Sequence, residues 1–131
     1  MDKVAIFIAS GSGIGADAAK YLNSKGYKVG IMSSSEKAID LAKNLGCVGF
    51  KGSNLNTKDI ELFIKKIIDH YGKIDILVNS AGHGPKGNIL EIKDEEWIKG
   101  MEIYFLNVVR ASRLVTPIFQ KNNGGSIINI S

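Results

Sequence analysis

Continuous apolar stretches alternate along the chain with stretches whose apolar residues recur every three or four positions. The first pattern is typical of parallel strands buried on both faces, and the second of amphipathic helices. Apolar runs predict five strands, at 4–9, 29–32, 47–50, 74–78 and 127–130. Helical spacing predicts four helices, of which the first three lie at about 14–25, 36–45 and 60–71. A loop from 79 to about 94 precedes the fourth, a long helix that ends before 122–125. The alternation predicts an α/β fold, a doubly wound Rossmann-type parallel sheet.

Length and composition indicate one modest domain spanning residues 1–131. Hydrophobic residues make up 44% of the chain and charged residues 23%, which is ordinary for a globular protein. The opening apolar run is too short for a membrane span or a secretion signal. Cys47 is the single cysteine, so no internal disulfide can form. We therefore expect a reducing, cytoplasmic setting and no membrane partner.

The net charge of +4 comes almost wholly from scattered lysines. Nucleic-acid surfaces usually cluster their basic residues and favour arginine, so we expect no nucleic-acid partner. His83, in a loop, is expected to be solvated, and His70 lies near the end of the third predicted helix, where a partial positive charge suits the helix dipole. No cluster of His, Cys, Asp or Glu has the spacing of metal ligands, which predicts no metal site.

The stretch "IASGSGIGADAA", residues 8–19, places glycines between a predicted strand and a predicted helix. Such a turn is typical of a backbone that approaches a phosphate. Gly11, Gly13 and Ala16 satisfy the dinucleotide pattern G-x-G-x-x-[G/A], but no acid follows about 20 residues later to hold a ribose. A second pattern, G-x-x-x-G-x-G, fits Gly13 and Gly15 and places Ala9 where its first glycine would be.

The end of the fourth strand favours the second pattern. Asn79-Ser80-Ala81-Gly82 resembles the N-N-A-G motif of the short-chain dehydrogenase/reductases. The stretches "YGKIDILVN", "EEW", "NVVRASRLVTP" and "GGSIINIS" resemble the same family in the same order, over all 131 residues. Ala9 is then a tolerated substitution, provided that its φ is negative.

The resemblance implies a set of cofactor-binding residues. Gly13, Ile14 and Gly15 would approach the pyrophosphate of a nicotinamide dinucleotide at the start of the first helix, and Ser12 would add a hydroxyl. Asn79, Ala81 and Gly82 would shape the pocket wall near the adenine-side ribose and steady the central strands.

Ser33 and Ser34 stand where this family commonly selects its cofactor. An acid at 33 would hold the ribose of NAD, and a basic residue at 34 would bind the 2′-phosphate of NADP. Neither is present. Small hydroxyls do not repel a phosphate, and Lys37 is near in sequence, so we expect NADP in preference to NAD.

The family's catalytic groups are missing from the sequence. The family places its Tyr-x-x-x-Lys pair after the fifth strand; in this sequence only Tyr21 and Lys25 have that spacing, and they lie on the first predicted helix. Ser131 would be only the first serine of the family's pair. We therefore expect a cofactor-binding portion, incomplete at the C-terminus and inactive alone, of an enzyme that transfers a hydride between NAD(P) and a small carbonyl or alcohol substrate. A non-catalytic dinucleotide-binding or sensing module is the alternative, and an FMN-binding flavodoxin-like domain is disfavoured by the glycine turn.

The long helix carries a second departure from the family. Tyr104 stands where the family has a structural and proton-relay Asn, and Asn107 lies one helical turn later. Tyr104 either packs along a stripe with Trp97 and Met101, or its hydroxyl or Asn107 takes over the relay. The same stripe resembles the face through which the family dimerises, so we expect a homo-oligomer.

Overall fold

Five parallel strands form one sheet. The computed structural model describes residues 2–80, 82 and 84–131, so the predictions on Ala81 and His83 lie outside the described residues. The strands are β1 Val4–Ile8, β2 Lys28–Ser33, β3 Val48–Lys51, β4 Ile76–Ser80 and β5 Ser126–Ile130. Across the sheet they lie in the order β3-β2-β1-β4-β5. The predicted doubly wound α/β architecture is confirmed.

Helices connect successive strands. They are α1 Gly13–Ser24, α2 Lys37–Leu45, α3 Thr57–Tyr71, and a fourth, continuous helix over 94–121. This fourth helix has three parts: α4 Asp94–Met101, a π-helical segment Glu102–Leu106, and α5 Asn107–Lys121. A π segment widens the helical turn by one residue and often occurs at functional sites.

The core has two layers, because side chains alternate between the two faces of each strand. Val4, Ile6 and Ile8 of β1 face the layer that contains α3 and α5 residues. Ala5 and Phe7 face the layer that contains α1 and α2 residues. This burial on both faces explains why β1 is a continuous apolar run.

The first strand ends one residue earlier than predicted. Ala9 has a φ of +58° and lies outside β1. The expectation that Ala9 is tolerated through a negative φ is therefore wrong. The turn keeps the left-handed conformation that glycine adopts without cost, and the alanine Cβ adds about 1–2 kcal/mol of strain.

Replacing Ala9 by glycine should raise the free energy of unfolding slightly or leave it unchanged. Relief of the left-handed strain offsets the extra entropy of an unfolded glycine, about 0.4–1 kcal/mol. The matched control is Ala19→Gly inside α1, which should lose about 1 kcal/mol or more. Urea titration of both variants measures the difference, and equal losses would contradict the strain.

The last strand, β5, lies at the edge of the sheet and is exposed along most of its length. Its residues Ile127 and Ile128 are among the exposed large apolar side chains. Open edges with apolar side chains pair readily with other chains.

Candidate functional site

The carboxyl ends of β1 and β4 meet at the centre of the sheet. The connection from β1 runs to β2 on one side, and the connection from β4 runs to β5 on the other. Doubly wound sheets bind ligands in the crevice at such a switch point. The glycine turn between β1 and α1 lies at this position.

Two cavities adjoin along the turn. The crevice cavity has a volume of about 400 Å³ and is lined by Ala9, Ser12, Gly13, Ile14, Ser80, Gly82, Tyr104, Ile130 and Ser131. The serine cavity has a volume of about 200 Å³ and is lined by Ala9, Gly11, Ser12, Ser33, Ser34, Ser35, Lys37, Gly52 and Asn54. Ala9 and Ser12 line both, so an elongated ligand could lie across the turn and enter each.

The glycines of the turn have different surroundings. A Cβ on Gly13 would meet no atom within 4 Å, and its φ is +66°. A Cβ on Gly15 would lie 2.4 Å from the Ser10 Oγ, so Gly15 allows α1 to pack against the strand ends and lines neither cavity. Gly13 and Ile14, which is 70% exposed, border the crevice cavity instead.

The start of α1 is open to an anion. The Ser12 side chain makes no capping hydrogen bond, and the first turn of α1 contains no acidic residue. The first N–H groups of a helix have no intrahelical partner, and the helix dipole places partial positive charge there. This end of α1 therefore has the electrostatics of a phosphate site.

Ser33 makes two hydrogen bonds that its position in the sequence did not predict. Its hydroxyl donates to the Ser35 carbonyl (2.9 Å) and accepts from the Ala38 N–H (3.0 Å). The residue is only 7% exposed. Ser33 thus caps the first turn of α2 and uses both its donor and an acceptor position in doing so.

The serine cavity contains lysine and no carboxylate among its lining residues. Ser34 and Lys37 are exposed at its wall. The neighbouring acid, Glu36, forms an ion pair with Lys51 at 3.1 Å. The charge that a ligand meets in this cavity is therefore positive.

Asn79 lies beneath the site and lines neither cavity. Its side chain is 1% exposed, and its Nδ2 donates to the Asn129 Oδ1 at 3.0 Å. This hydrogen bond joins β4 to β5, and the predicted role of Asn79 at the pocket wall stays a prediction. Gly82 lines the crevice cavity, and a Cβ there would lie 2.9 Å from Ile103 Cγ2.

Tyr104 stands between the crevice cavity and a third cavity. The third, of about 360 Å³, is lined by Gly84, Pro85, Lys86, Trp97, Gly100, Met101 and Tyr104. Tyr104 is 42% exposed and belongs to the π segment. It lines this cavity together with Trp97 and Met101, and it also lines the crevice cavity. Asn107 lines none of these cavities and is fully buried.

Other chemical sites are not evident in the part of the chain that the structure describes. Over residues 2–80, 82 and 84–131, no group of three or more His, Cys, Asp or Glu side chains could hold a metal ion. No helix within those ranges is long and apolar enough to cross a membrane. Burial raises the pKa of the Cys47 thiol to about 11, which lowers the fraction of thiolate at neutral pH.

Nearly the whole length of this chain matches known proteins in sequence and in fold. The family described as short chain dehydrogenase matches residues 3–131. An uncharacterized oxidoreductase of Thermotoga maritima is 35% identical over 133 residues, covering 98% of this chain and 53% of the relative.

Two solved structures share the fold with a TM-score of 0.91. One is a variant of actinorhodin polyketide ketoreductase with NADPH, 26% identical, covering 99% of this chain and 53% of that chain. The other is a 3-ketoacyl-(acyl-carrier-protein) reductase from Brucella melitensis complexed with NADH, 28% identical, covering 98% and 57% respectively. The chain thus spans about half the length of the proteins it matches.

Proposed function

Because the chain belongs to the short chain dehydrogenase family, we propose that it is the dinucleotide-binding portion of an oxidoreductase that transfers a hydride between NAD(P) and a small carbonyl or alcohol. The observation that carries the proposal is the glycine turn between β1 and α1, with a cavity on either side. A dinucleotide has two nucleoside halves joined by a pyrophosphate. The two cavities would take the two nucleosides, and the start of α1 between them would take the pyrophosphate.

The described residues fit such a ligand. Gly13 leaves the approach to α1 free of side-chain atoms, and the uncapped N–H groups of the first turn suit the pyrophosphate. Ser12 borders both cavities and could donate its hydroxyl to the same group. The serine cavity would take the adenosine ribose and the crevice cavity the nicotinamide. When bound, the nicotinamide supplies or accepts the hydride.

We also propose that the cofactor is NADP. The serine cavity has Ser34 and Lys37 at its exposed wall and no carboxylate among its lining residues. A 2′-phosphate would be attracted by the Lys37 ammonium and would meet no repelling charge. Cofactors named with the similar structures include both NADPH and NADH.

Ser33→Asp should shift the preference from NADP toward NAD by about tenfold, or roughly 1.4 kcal/mol. The new carboxylate would repel the 2′-phosphate. Lys37→Ala should weaken NADPH binding several-fold and leave NADH unchanged, whereas Lys43→Ala, an exposed lysine on the same helix, should change neither. Titration calorimetry with both cofactors is the measurement, and an unchanged NADPH to NADH ratio in Ser33→Asp would reject this assignment.

The proposed chemistry belongs to the complete protein. Its proton transfer requires an acid or base within hydrogen-bond reach of the substrate oxygen. Within these 131 residues the Tyr-x-x-x-Lys spacing occurs only at Tyr21 and Lys25, which line neither the crevice cavity nor the serine cavity. Because this pair does not border the crevice, a dinucleotide-binding or sensing module without chemistry is the second candidate. Tyr104 borders the crevice cavity, so its hydroxyl is a better candidate than Asn107 for a relay group in the enzyme.

We propose further that copies of the chain associate through the long helix. Ile98, Met101 and Phe105 recur along one face of α4 and the π segment, and all are exposed. The single, partly buried Cys47 is consistent with a reducing, cytoplasmic setting for this assembly.

Residues 1–131 should therefore sediment as dimers or larger species. The double variant Ile98→Lys, Phe105→Lys should shift the distribution toward monomer, because the charges oppose burial of this face. Tyr21→Lys, at an exposed aromatic position on α1, is the control and should change nothing. A monomeric parent chain would contradict the proposal.

A further inference from the structure

Two buried side-chain amides lie on different elements below the crevice. Asn79 is the penultimate residue of β4 and is 1% exposed; Asn107 is the first residue of α5 and is 0% exposed. Asn79 Nδ2 donates a hydrogen bond to Asn129 Oδ1. Within residues 2–80, 82 and 84–131, Asn79 Oδ1 and both polar side-chain atoms of Asn107 have no hydrogen-bond partner. Buried polar atoms are costly unless they are paired with protein or with ordered water.

The packing of α5 on the sheet brings these amides to the same layer. Leu77 of β4 belongs to the core layer of Ala111 and Val115. Asn79 lies two residues beyond Leu77 and on the same face of the strand, about 6.6 Å further toward its carboxyl end. Asn107 lies four residues before Ala111, about 6 Å toward the start of α5. A crossover helix runs antiparallel to the strands that it connects, so both displacements point in the same direction.

We propose that a buried water molecule links Asn79 Oδ1 to the Asn107 amide. A buried water typically makes about three hydrogen bonds to polar groups that lack another partner. Asn79 Oδ1 accepts from it, while Asn107 Nδ2 donates to it or Asn107 Oδ1 accepts its second proton. The water extends the Asn129–Asn79 pair into a polar chain from β5 through β4 to α5.

This water positions the π segment, which directly precedes Asn107. Arg110 forms an ion pair with Glu102 across the segment, so its two ends are already joined on one side. The water-linked amide would hold the end of the segment against β4. Tyr104, one turn before Asn107, would thereby keep its ring at the wall of the crevice cavity. The inference requires no bound cofactor and is tested without one.

The decisive variant is Asn107→Leu in the product of the complete reading frame. Leucine branches at the same carbon atom as asparagine but cannot bind water. If the amide holds the water, the equilibrium constant for folding should fall at least tenfold. If the Asn107 amide binds no water, replacing this buried unsatisfied group should leave the equilibrium constant for folding unchanged or raise it. This result would overturn the inference. Asn107→Ser, which keeps a hydroxyl, should lose less than Asn107→Leu.

Two further measurements separate the water from a general packing defect. Hydrogen exchange of amides 102–106 should quicken at least tenfold in Asn107→Leu while α3 stays protected. The control Asn129→Ala removes the other partner of Asn79 and should leave exchange of 102–106 unchanged. A crystal structure should show a water within about 3.2 Å of both Asn79 Oδ1 and an Asn107 amide atom. If Asn107→Leu does not fold, Asn79→Ala, Asn107→Ser and their double variant give the same information: additive losses would reject the link.

Discussion

Replacing Gly13 by valine should lower the affinity for NADPH and NADH at least 100-fold, about 2.7 kcal/mol. Gly13 borders the crevice cavity, and its Cβ position is open space at the start of α1. A valine side chain would occupy the path by which the pyrophosphate reaches the first N–H groups of the helix. Its β-branched side chain also opposes the φ of +66°, so the turn would lose its shape. Fluorescence or calorimetric titration of both cofactors measures the loss.

The matched control is Gly26→Val, at the other end of α1. Gly26 also has a positive φ, +90°, and its Cβ would also meet no atom within 4 Å. Both variants should therefore lose similar free energy of unfolding, of the order of 1–3 kcal/mol. Only Gly13→Val should lose binding. Equal affinities in the two variants would show that the turn does not hold the dinucleotide.

Residues 1–131 expressed by themselves should oxidise neither NADPH nor NADH with any aldehyde or ketone, whereas the product of the complete reading frame should do so. A positioned acid or base contributes roughly 10²–10⁴-fold to such a reaction. Within residues 1–131 the Tyr-x-x-x-Lys spacing occurs only at Tyr21 and Lys25, which are exposed and do not line the crevice cavity. Absorbance at the reduced nicotinamide band, with a panel of carbonyl compounds, is the assay.

Turnover by the short polypeptide would contradict this expectation and direct attention to Tyr104, the tyrosine that borders the crevice cavity. Tyr104→Phe would then abolish the activity, and Tyr21→Phe, an exposed tyrosine on α1, would not. A complete product that binds the dinucleotide but reduces no carbonyl would favour the sensing module. A yellow protein with a flavin spectrum would reject both.

Hydrophobic periodicity was sufficient to predict the sheet and its helices, because strands and amphipathic helices space their apolar residues differently. The continuous run of β1 reflects burial on both faces, and the spacing in α3 reflects a single buried stripe. The position of the glycine turn at the switch point then follows from the order of the strands. Strand limits moved by up to two residues, as for β4, because hydrogen bonding rather than hydrophobicity sets where a ladder ends.

Three features were not predictable from periodicity. The π segment has the same apolar spacing as its α-helical flanks over so few residues that no pattern distinguishes it. The φ of Ala9 is imposed by the turn, against the preference of the residue that occupies it. The burial of Asn79 and Asn107 depends on how α5 packs on β4, which is a contact between positions far apart in sequence.

Because of the hydrogen bonds that the Ser33 hydroxyl makes, mutation at this position toward NAD and mutation toward NADP would have unequal effects on stability. Because the hydroxyl accepts from the Ala38 N–H, position 33 contributes to the stability of α2 as well as bordering the serine cavity. Aspartate can accept from the same N–H, so a mutational step toward NAD would keep the first turn of α2 capped, although aspartate could not donate to the Ser35 carbonyl. Lysine or arginine cannot accept a hydrogen bond, so a step toward tighter NADP binding at this position would cost about 1 kcal/mol of stability. Selection for NADP would therefore act more readily on Ser34 or Lys37, whose side chains are exposed and free to vary.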